Sequence, residues 1–205
     1  MKLLFLVLLL VLPQLSVAGV DKFKAIRESY TLEAKANYKG AIASLSPLLQ
    51  ANAKDYFLNL RMGWLQYLSG NQKAALAHYE SALKAESQSS TALLGKVNVL
   101  LEMKDWKNAE SAYKDLVEAF PQDFSANLKL ANFYIFQKKN GDALKIVEKL
   151  QPLYPENLEL LNTQGYIHIL NGNKAAATKI FEKVLGISPD NAIAKGHLVE
   201  LSKAP

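Results

Sequence analysis

The sequence contains no cysteine among its 205 residues. This absence excludes a disulfide framework, a cysteine-ligated zinc or iron–sulfur site, thiol catalysis and a lipidated cysteine anchor. Glycine and proline are also sparse, at ten and seven residues, which excludes a collagen-like or proline-rich low-complexity chain. Half of the residues are apolar and 21% are charged, so the composition is that of a globular protein whose stability comes from packing.

Groups that carry catalysis or hold metals are few and scattered. The three histidines, His78, His168 and His197, lie in different parts of the chain and form no metal-ligand pattern. The sequence has no phosphate-binding glycine loop, nucleophile elbow or zinc-protease motif. The excess of 24 Lys and Arg over 19 Asp and Glu is small and spread out, whereas a nucleic-acid surface needs a cluster. We therefore expect no enzyme, no cofactor or metal site, and no nucleic-acid partner.

The first eighteen residues are typical of a secretory signal peptide. One lysine precedes ten apolar residues at 3–12, Pro13 ends the run, and Ser16-Val17-Ala18 supplies small residues at a cleavage site. The apolar run is half of the about 20 residues that a membrane-spanning helix needs. We expect cleavage near Ala18–Gly19 and a mature chain in the periplasm or secreted. The alternative is a retained membrane anchor.

The rest of the chain repeats itself every 34 residues. An alanine recurs at this spacing without insertion or deletion, and a large apolar residue follows it four positions later. A mostly small residue precedes it by twelve positions, and a proline follows it by twelve in the last three copies. The alanines are Ala41, Ala75, Ala109, Ala143 and Ala177. A fixed period of this length is the signature of a solenoid.

Each 34-residue unit reads as two helices separated by a short turn. The turns contain Ser69-Gly70-Asn71, Lys138-Lys139-Asn140-Gly141 and Asn171-Gly172-Asn173. A residue that can cap a helix precedes each later first helix, and these caps are Asp55, Ser90, Asp123, Asn157 and Asn191. The small residue and the alanine let two helices approach closely, and the large residue fills the space between one unit and the next. No segment shows strand alternation, so we predict an all-α protein.

These residues resemble the tetratricopeptide repeat family, most clearly in Leu130-Ala131-x-x-Tyr134…Ala143…Pro155 and Gly165…Gly172…Ala177-x-x-x-Phe181…Pro189. The resemblance implies a right-handed α-solenoid of helix–turn–helix repeats over residues 19–205. The predicted repeats are 22–55, 56–89, 90–123, 124–157 and 158–191, followed by a capping helix at 192–203. In that helix, Ile193, Leu198 and Leu201 are expected to cover the last repeat.

The first helix of each repeat carries a second face with the composition of a binding surface. Repeat positions 2, 5, 9, 12 and 13 lie opposite the face that meets the second helix. Aliphatic residues there are expected to pack between repeats, whereas aromatic residues with polar edges suit a surface that a partner covers. In the family this face holds extended peptides, and stacked asparagines can bind a peptide backbone. The candidate groove residues are Tyr30, Trp64, Tyr67, Asn98, Asn132, Phe136 and Tyr166. The alternative for Asn98 and Asn132 is two solvated side chains.

The resemblance implies a non-catalytic scaffold of the cell envelope that binds a peptide segment of another protein and aids the assembly of a complex. Membrane contact is expected only through partners. Two alternatives stay open. One is a self-associating structural subunit whose apolar face is an oligomer interface. The other is an accessory regulator of a cell-wall or polysaccharide enzyme.

Overall fold

A computed structural model describes residues 21–203, and the predicted signal peptide lies outside them. All regular structure in this range is helical, which confirms the all-α prediction. The described residues form two compact units, residues 21–85 and residues 86–203. The first unit contains α1 (Lys22–Glu33), α2 (Tyr38–Ala51), α3 (Tyr56–Leu68) and α4 (Gln72–Ala85). The second unit contains α5 (Ser90–Glu102), α6 (Trp106–Ala119), α7 (Phe124–Phe136), α8 (Asn140–Leu150), α9 (Leu158–Leu170), α10 (Lys174–Ile187) and α11 (Ala192–Lys203).

Within each unit, every helix packs against the helix that follows it in the chain. The helices therefore alternate between a first and a second type. The first helices are α1, α3, α5, α7 and α9, and we number repeat positions from the first residue of each. The second helices are α2, α4, α6, α8 and α10.

Side chains at the start of the first helices satisfy backbone N–H groups that have no partner within the helix. Asp55 accepts from the N–H of Leu58 at 2.9 Å, and Asp21, Asp123 and Asn157 cap their helices in the same way. The prediction of Ser90 as a cap is wrong. Ser89 accepts from the N–H of Ala92 at 3.1 Å, and Ser90 is the first helical residue.

The turn between the two helices of each repeat contains one residue with a left-handed backbone, always at position 15. In two repeats this residue is a glycine, Gly70 at φ 80° and Gly172 at φ 73°, for which the left-handed backbone carries no steric cost. Ala36, Lys104 and Lys138 hold it at φ 55°, 56° and 59°. The expected turn at Asn140-Gly141 is therefore corrected. Lys138 makes the bend, and Asn140 and Gly141 already belong to α8.

The close approach of the two helices in a repeat follows from the periodic small residues. All five periodic alanines are fully buried. A Cβ atom added at Gly165 would lie 2.6 Å from Cζ of Phe181, and one at Gly63 would lie 3.0 Å from the Tyr79 ring. Tyr79 and Phe181 therefore pack directly onto the first helices of their own repeats, in addition to the predicted contact with the next repeat.

The periodic large residue also reaches the next repeat, as predicted. The ring centroids of Tyr113 in α6 and Phe133 in α7 are 5.3 Å apart. An ion-pair network joins the same two repeats at their surface. Glu110 accepts from Lys114 at 2.7 Å and from Lys139 at 2.6 Å, and these hydrogen bonds lower the pKa of Glu110 from 4.5 to about 2.

Buried asparagines at position 4 tie two first helices to the turns before them. Asn59 Nδ2 donates to the carbonyl oxygens of Ala53 and Asp55 at 2.8 and 2.9 Å, and Asn127 donates to the equivalent pair. The Oδ1 atom of Asn59 lies 3.1 Å from Nδ1 of His78, whose pKa is lowered by burial. These amides satisfy carbonyl groups that the chain would otherwise bury without partners.

The last helix, α11, packs against a core cluster formed by Leu161, Ala177, Phe181 and Val184. Leu198 and Leu201 contact this cluster, as predicted. Ile193 does not, because its side chain is 56% exposed, and Ala194 is the fully buried residue in this turn. That expectation was wrong by one residue, which on a helix is a rotation of 100°.

Candidate functional site

The seven candidate residues lie on the first helices and reach solvent. Tyr30, Trp64 and Tyr67 belong to the first unit. Asn98, Asn132, Phe136 and Tyr166 belong to the second unit. All except the half-buried Tyr67 are exposed.

In the first unit, the three aromatic residues are held by a charged pair. Arg61 forms an ion pair with Glu33, and its guanidinium lies 3.7 Å from the centroid of the Tyr30 ring. The same Glu33 carboxylate accepts from Nε1 of Trp64 at 2.6 Å, and Trp64 stacks on Tyr67 with centroids 5.9 Å apart. The polar edge of Trp64 is therefore satisfied within the molecule, and the rings are fixed in position.

In the second unit, the exposed face of α7 carries Ser125, Lys129, Asn132 and Phe136. Their spacing of four, three and four residues places them in one row along the helix. Three cavities open along this row, and each is lined by at least one of its members. We call this row the α7 track.

The largest opening, the Phe136 cavity, has a volume of about 440 Å³. Its apolar walls are Leu101, Trp106, Tyr113, Phe133 and Phe136. Its polar lining is Glu102, Lys104, Lys129 and Asn132. The rings of Trp106 and Phe136 meet edge to face with centroids 5.2 Å apart, although Phe136 is 64% exposed. This cavity is suited to a large apolar side chain, because such groups gain most from leaving water.

Two smaller cavities continue the track toward the start of α7. The Glu159 cavity, of about 170 Å³, is lined by Ser125, Leu128, Lys129, Asn132 and Glu159, together with Phe124. It shares Lys129 and Asn132 with the Phe136 cavity. The Leu94 cavity, of about 350 Å³, shares Ser125 with the Glu159 cavity. The shared side chains make the three openings one continuous surface.

The remaining two candidates lie outside these cavities. Asn98 is exposed on α5, at the repeat position that Asn132 occupies on α7. Tyr166 stacks on the His197 ring of α11 with centroids 5.9 Å apart, so the last helix contacts one edge of this face. The structure therefore gathers Asn132 and Phe136 at one site and leaves Asn98 and Tyr166 apart from it.

Sequence reasoning missed Lys129, Trp106 and Leu128 as site residues. Lys129 is at position 6, beside the apolar positions that defined the predicted face. Trp106 begins a second helix and reaches the cavity from the turn, which no first-helix pattern indicates. Leu128 is 4% exposed, in line with the expectation that aliphatic residues of this face pack between repeats, but its edge also lines the Glu159 cavity. The row of polar residues at 125, 129 and 132 was the available signal.

Two further properties of the described residues bear on function. Within residues 21–203, no helix is both long enough and apolar enough to cross a lipid bilayer. Over the same range, no group of three or more histidine, aspartate or glutamate side chains is placed to hold a metal ion.

Comparison with known proteins identifies the repeat. Family models of the tetratricopeptide repeat match residues 68–125, 100–164 and 158–191, which together span more than half of the chain. The chain belongs to the tetratricopeptide repeat family. The resemblance in the sequence is thereby confirmed. No curated protein matches the sequence.

Solved structures show the same tetratricopeptide repeat fold at low sequence identity. A tetratricopeptide repeat protein from Parabacteroides merdae superposes with a TM-score of 0.72 at 21% identity, covering 87% of this chain and 71% of that one. MamA superposes with a TM-score of 0.69 at 18% identity, covering 89% and 97%. YrrB, a tetratricopeptide repeat protein with an unusual peptide-binding site, gives 0.68 at 18% identity, covering 89% and 94%. At these identities the likeness establishes the fold.

Proposed function

We propose that this protein is a non-catalytic scaffold that binds an extended segment of another protein along the α7 track. The observation that carries the proposal is the continuity of the three cavities through Ser125, Lys129 and Asn132. Such a surface combines apolar depressions with a few polar groups that set orientation, as peptide and ligand sites do. The peptide-binding site of the structural neighbour YrrB supports the same use of this fold.

The length of the track sets the length of the bound segment. Ser125 and Phe136 are eleven residues apart on one helix, which corresponds to about 16 Å at 1.5 Å per residue. An extended chain advances about 3.3 Å per residue, so about five residues would follow the track. The Asn132 amide, which offers both a donor and an acceptor, would bind a peptide group near the middle of that segment.

The proposed location of this activity is the cell envelope. Residues 1–18 have the charge, apolar run and cleavage site of a signal peptide, so the mature chain would meet exported proteins. An intact mass corresponding to a start at or near Gly19, from protein recovered outside the cytoplasm, supports this location. Recovery of the full chain with Met1 on membranes would replace it with a tethered scaffold.

The binding proposal is tested by selecting ligands for the mature chain from a displayed library of random heptapeptides. We expect the selected peptides, measured by fluorescence anisotropy, to lose at least fivefold in affinity with Phe136→Ala or Asn132→Ala. Leu153→Ala is the matched control, because Leu153 is also an exposed apolar residue but lies outside the track. Equal affinity for all four proteins would contradict the proposal.

Self-association through the same face is the main competing use. An exposed aromatic such as Phe136 serves equally well in a contact between two copies. Sedimentation of the mature chain separates the two. A dimer that dissociates in Phe136→Ala would identify the track as a subunit interface, whereas a monomer with peptide affinity supports the scaffold.

A further inference from the structure

Two equivalent first helices differ in one respect that indicates the chemistry of the bound segment. Arg61 and Trp64 of α3 occupy repeat positions 6 and 9, and Lys129 and Asn132 occupy the same positions on α7. Each pair therefore presents a cation and a neutral N–H donor on the same side of its helix, one turn apart.

In the first unit, this pair of donors holds a carboxylate. Glu33 accepts from Trp64 Nε1 at 2.6 Å and forms an ion pair with the buried Arg61. Glu33 belongs to the preceding first helix, at repeat position 12. The molecule thus supplies its own acidic side chain to the donors at positions 6 and 9.

In the second unit, the preceding first helix has no acidic side chain at the equivalent position. Position 12 of the preceding first helix, α5, is Leu101, which cannot pair with a cation. Lys129 is exposed, lines both the Phe136 and Glu159 cavities, and forms no ion pair with the carboxylates of residues 21–203. The donors at positions 6 and 9 of α7 therefore face open cavity space, where their counterparts in α3 face Glu33.

We infer that the α7 track binds an acidic side chain of the partner segment, an aspartate or glutamate, between Lys129 and Asn132. This inference rests on the proposed function and specifies its ligand. The carboxylate would take the place that Glu33 holds in the first unit, with Lys129 Nζ and Asn132 Nδ2 as donors. Hydrogen bonds with a charged partner are the stronger ones available to a peptide site.

The same geometry places a large apolar residue next to the acidic one. Asn132 and Phe136 are one turn apart, about 6 Å along the helix. Two residues of an extended chain span about the same distance, and side chains two residues apart point to the same side. The bound segment therefore carries its acidic residue two positions from a large apolar residue that enters the Phe136 cavity.

The position of Lys129, and not the net charge of the surface, sets this preference. Glu102 and Lys104 both line the Phe136 cavity, and Glu159 lines the smaller cavity beside Lys129. Two cations and two carboxylates therefore surround the track, so long-range attraction of any acidic peptide is weak. A peptide carboxylate therefore adds binding affinity only where it contacts both Lys129 and Asn132. This contact requires the acidic residue to lie two positions from the large apolar residue.

The test uses the heptapeptides selected on the mature chain, synthesised with acetylated and amidated ends. We expect an aspartate or glutamate two positions from a large apolar residue among them. Lys129→Met, which keeps most of the side-chain length, should weaken binding about fivefold to tenfold. Lys107→Met, at an exposed lysine of α6 outside the cavities, should leave binding unchanged.

Two experiments that combine a change at Lys129 with a change in the peptide test whether Lys129 contacts the acidic side chain. Changing the peptide aspartate to asparagine should cause the same loss as Lys129→Met, with no further loss when both changes are combined. In Lys129→Glu, the preference should reverse toward peptides with lysine or arginine at that position.

The outcomes separate this inference from the proposed function. Selected peptides that depend on Phe136 but show no acidic preference, and that bind Lys129→Met normally, overturn the inference and leave the scaffold intact. Peptides that bind only with a free carboxyl end also overturn it, because the carboxylate would then come from the chain terminus. Peptides that depend on neither Phe136 nor Asn132 overturn the scaffold proposal itself.

Discussion

Replacing Gly165 with alanine would place a methyl group against the Phe181 ring. The new Cβ would lie 2.6, 2.8 and 3.0 Å from Cζ, Cε1 and Cε2 of that ring. Carbon atoms in contact are normally about 3.5–4.0 Å apart, so the ring must retreat by about 1 Å. Phe181 is fully buried and stacks on His197 with centroids 4.9 Å apart, so little space lies behind it.

The expected cost combines two opposing effects. Overpacking of this kind costs about 1–3 kcal/mol, and replacing glycine by alanine inside a helix returns about 1 kcal/mol. We therefore expect Gly165→Ala to lower the free energy of unfolding by up to about 2 kcal/mol. In a chain of this size, that lowers the melting temperature by up to about 8 °C. Urea unfolding followed by circular dichroism measures the first quantity and a thermal scan the second.

Gly196→Ala is the matched control for this experiment. Gly196 also lies inside a helix, α11, which packs against the same core cluster, but an added Cβ would meet nothing within 4 Å. This substitution should raise the free energy of unfolding by about 0.5–1 kcal/mol. The two alanines should thus act with opposite sign. A gain in stability for both would show that the Phe181 ring moves at no cost, and would refute the argument from close approach.

Three further predictions concern the rest of the fold. Removal of residues 192–205 should lower both the melting temperature and the solubility in a sedimentation assay, because the truncation exposes the last core cluster. With Glu110→Gln, the free energy of unfolding should depend less on pH in the acid range. The low pKa of Glu110 contributes stability above about pH 4.5, which is lost as the pH falls toward about 2, and urea unfolding over that range measures it. Gly172→Ala should lower the free energy of unfolding by about 1 kcal/mol, whereas Lys138→Gly should not lower it, since both positions have a left-handed backbone. Thermal scans in which Lys138→Gly melts at a lower temperature than Gly172→Ala would contradict this.

The helix pairs were predictable because they depend on local spacing. A small residue, an alanine twelve positions later and a large residue four positions after that are enough to dock one helix on another. Each of these contacts forms within a single repeat or with its neighbour, so the period of 34 residues contains the information. The left-handed residue at position 15 was hidden in three turns, because Ala36, Lys104 and Lys138 are not residues that signal this conformation.

One helix start was predicted wrongly although the sequence contains the information that places it. Ser89 and Ser90 are chemically equal as caps, but only Ser89 lies on the 34-residue period, 34 residues after Asp55 and 34 before Asp123. The structure agrees with the period, because the Ser89 side chain accepts from the N–H of Ala92 at 3.1 Å. The period that identifies the helix pairs therefore also identifies the cap.

The exposed face of α7 was predicted from the sequence, whereas the charged contacts on the equivalent face of α3 were not. Asn132 and Phe136 follow from the periodic face of a first helix. The ion pair between Glu33 and Arg61 joins residues 28 positions apart, on different first helices, and depends on how those helices are rotated relative to each other. Such rotations follow from packing between helices. The structure was therefore needed to show that the donors of α3 contact Glu33 whereas those of α7 face an open cavity.

Lys104 has two structural roles, because it holds the left-handed position of a turn and also lines the Phe136 cavity. This overlap matters for attempts to stabilise the protein. Replacing the three non-glycine residues of the left-handed turns with glycine would remove the steric cost of their left-handed backbone. At Ala36 and Lys138 the change touches none of the cavities along the α7 track. At Lys104 it removes an ammonium group from the lining of the Phe136 cavity, so the same substitution also changes the chemistry of the proposed binding surface.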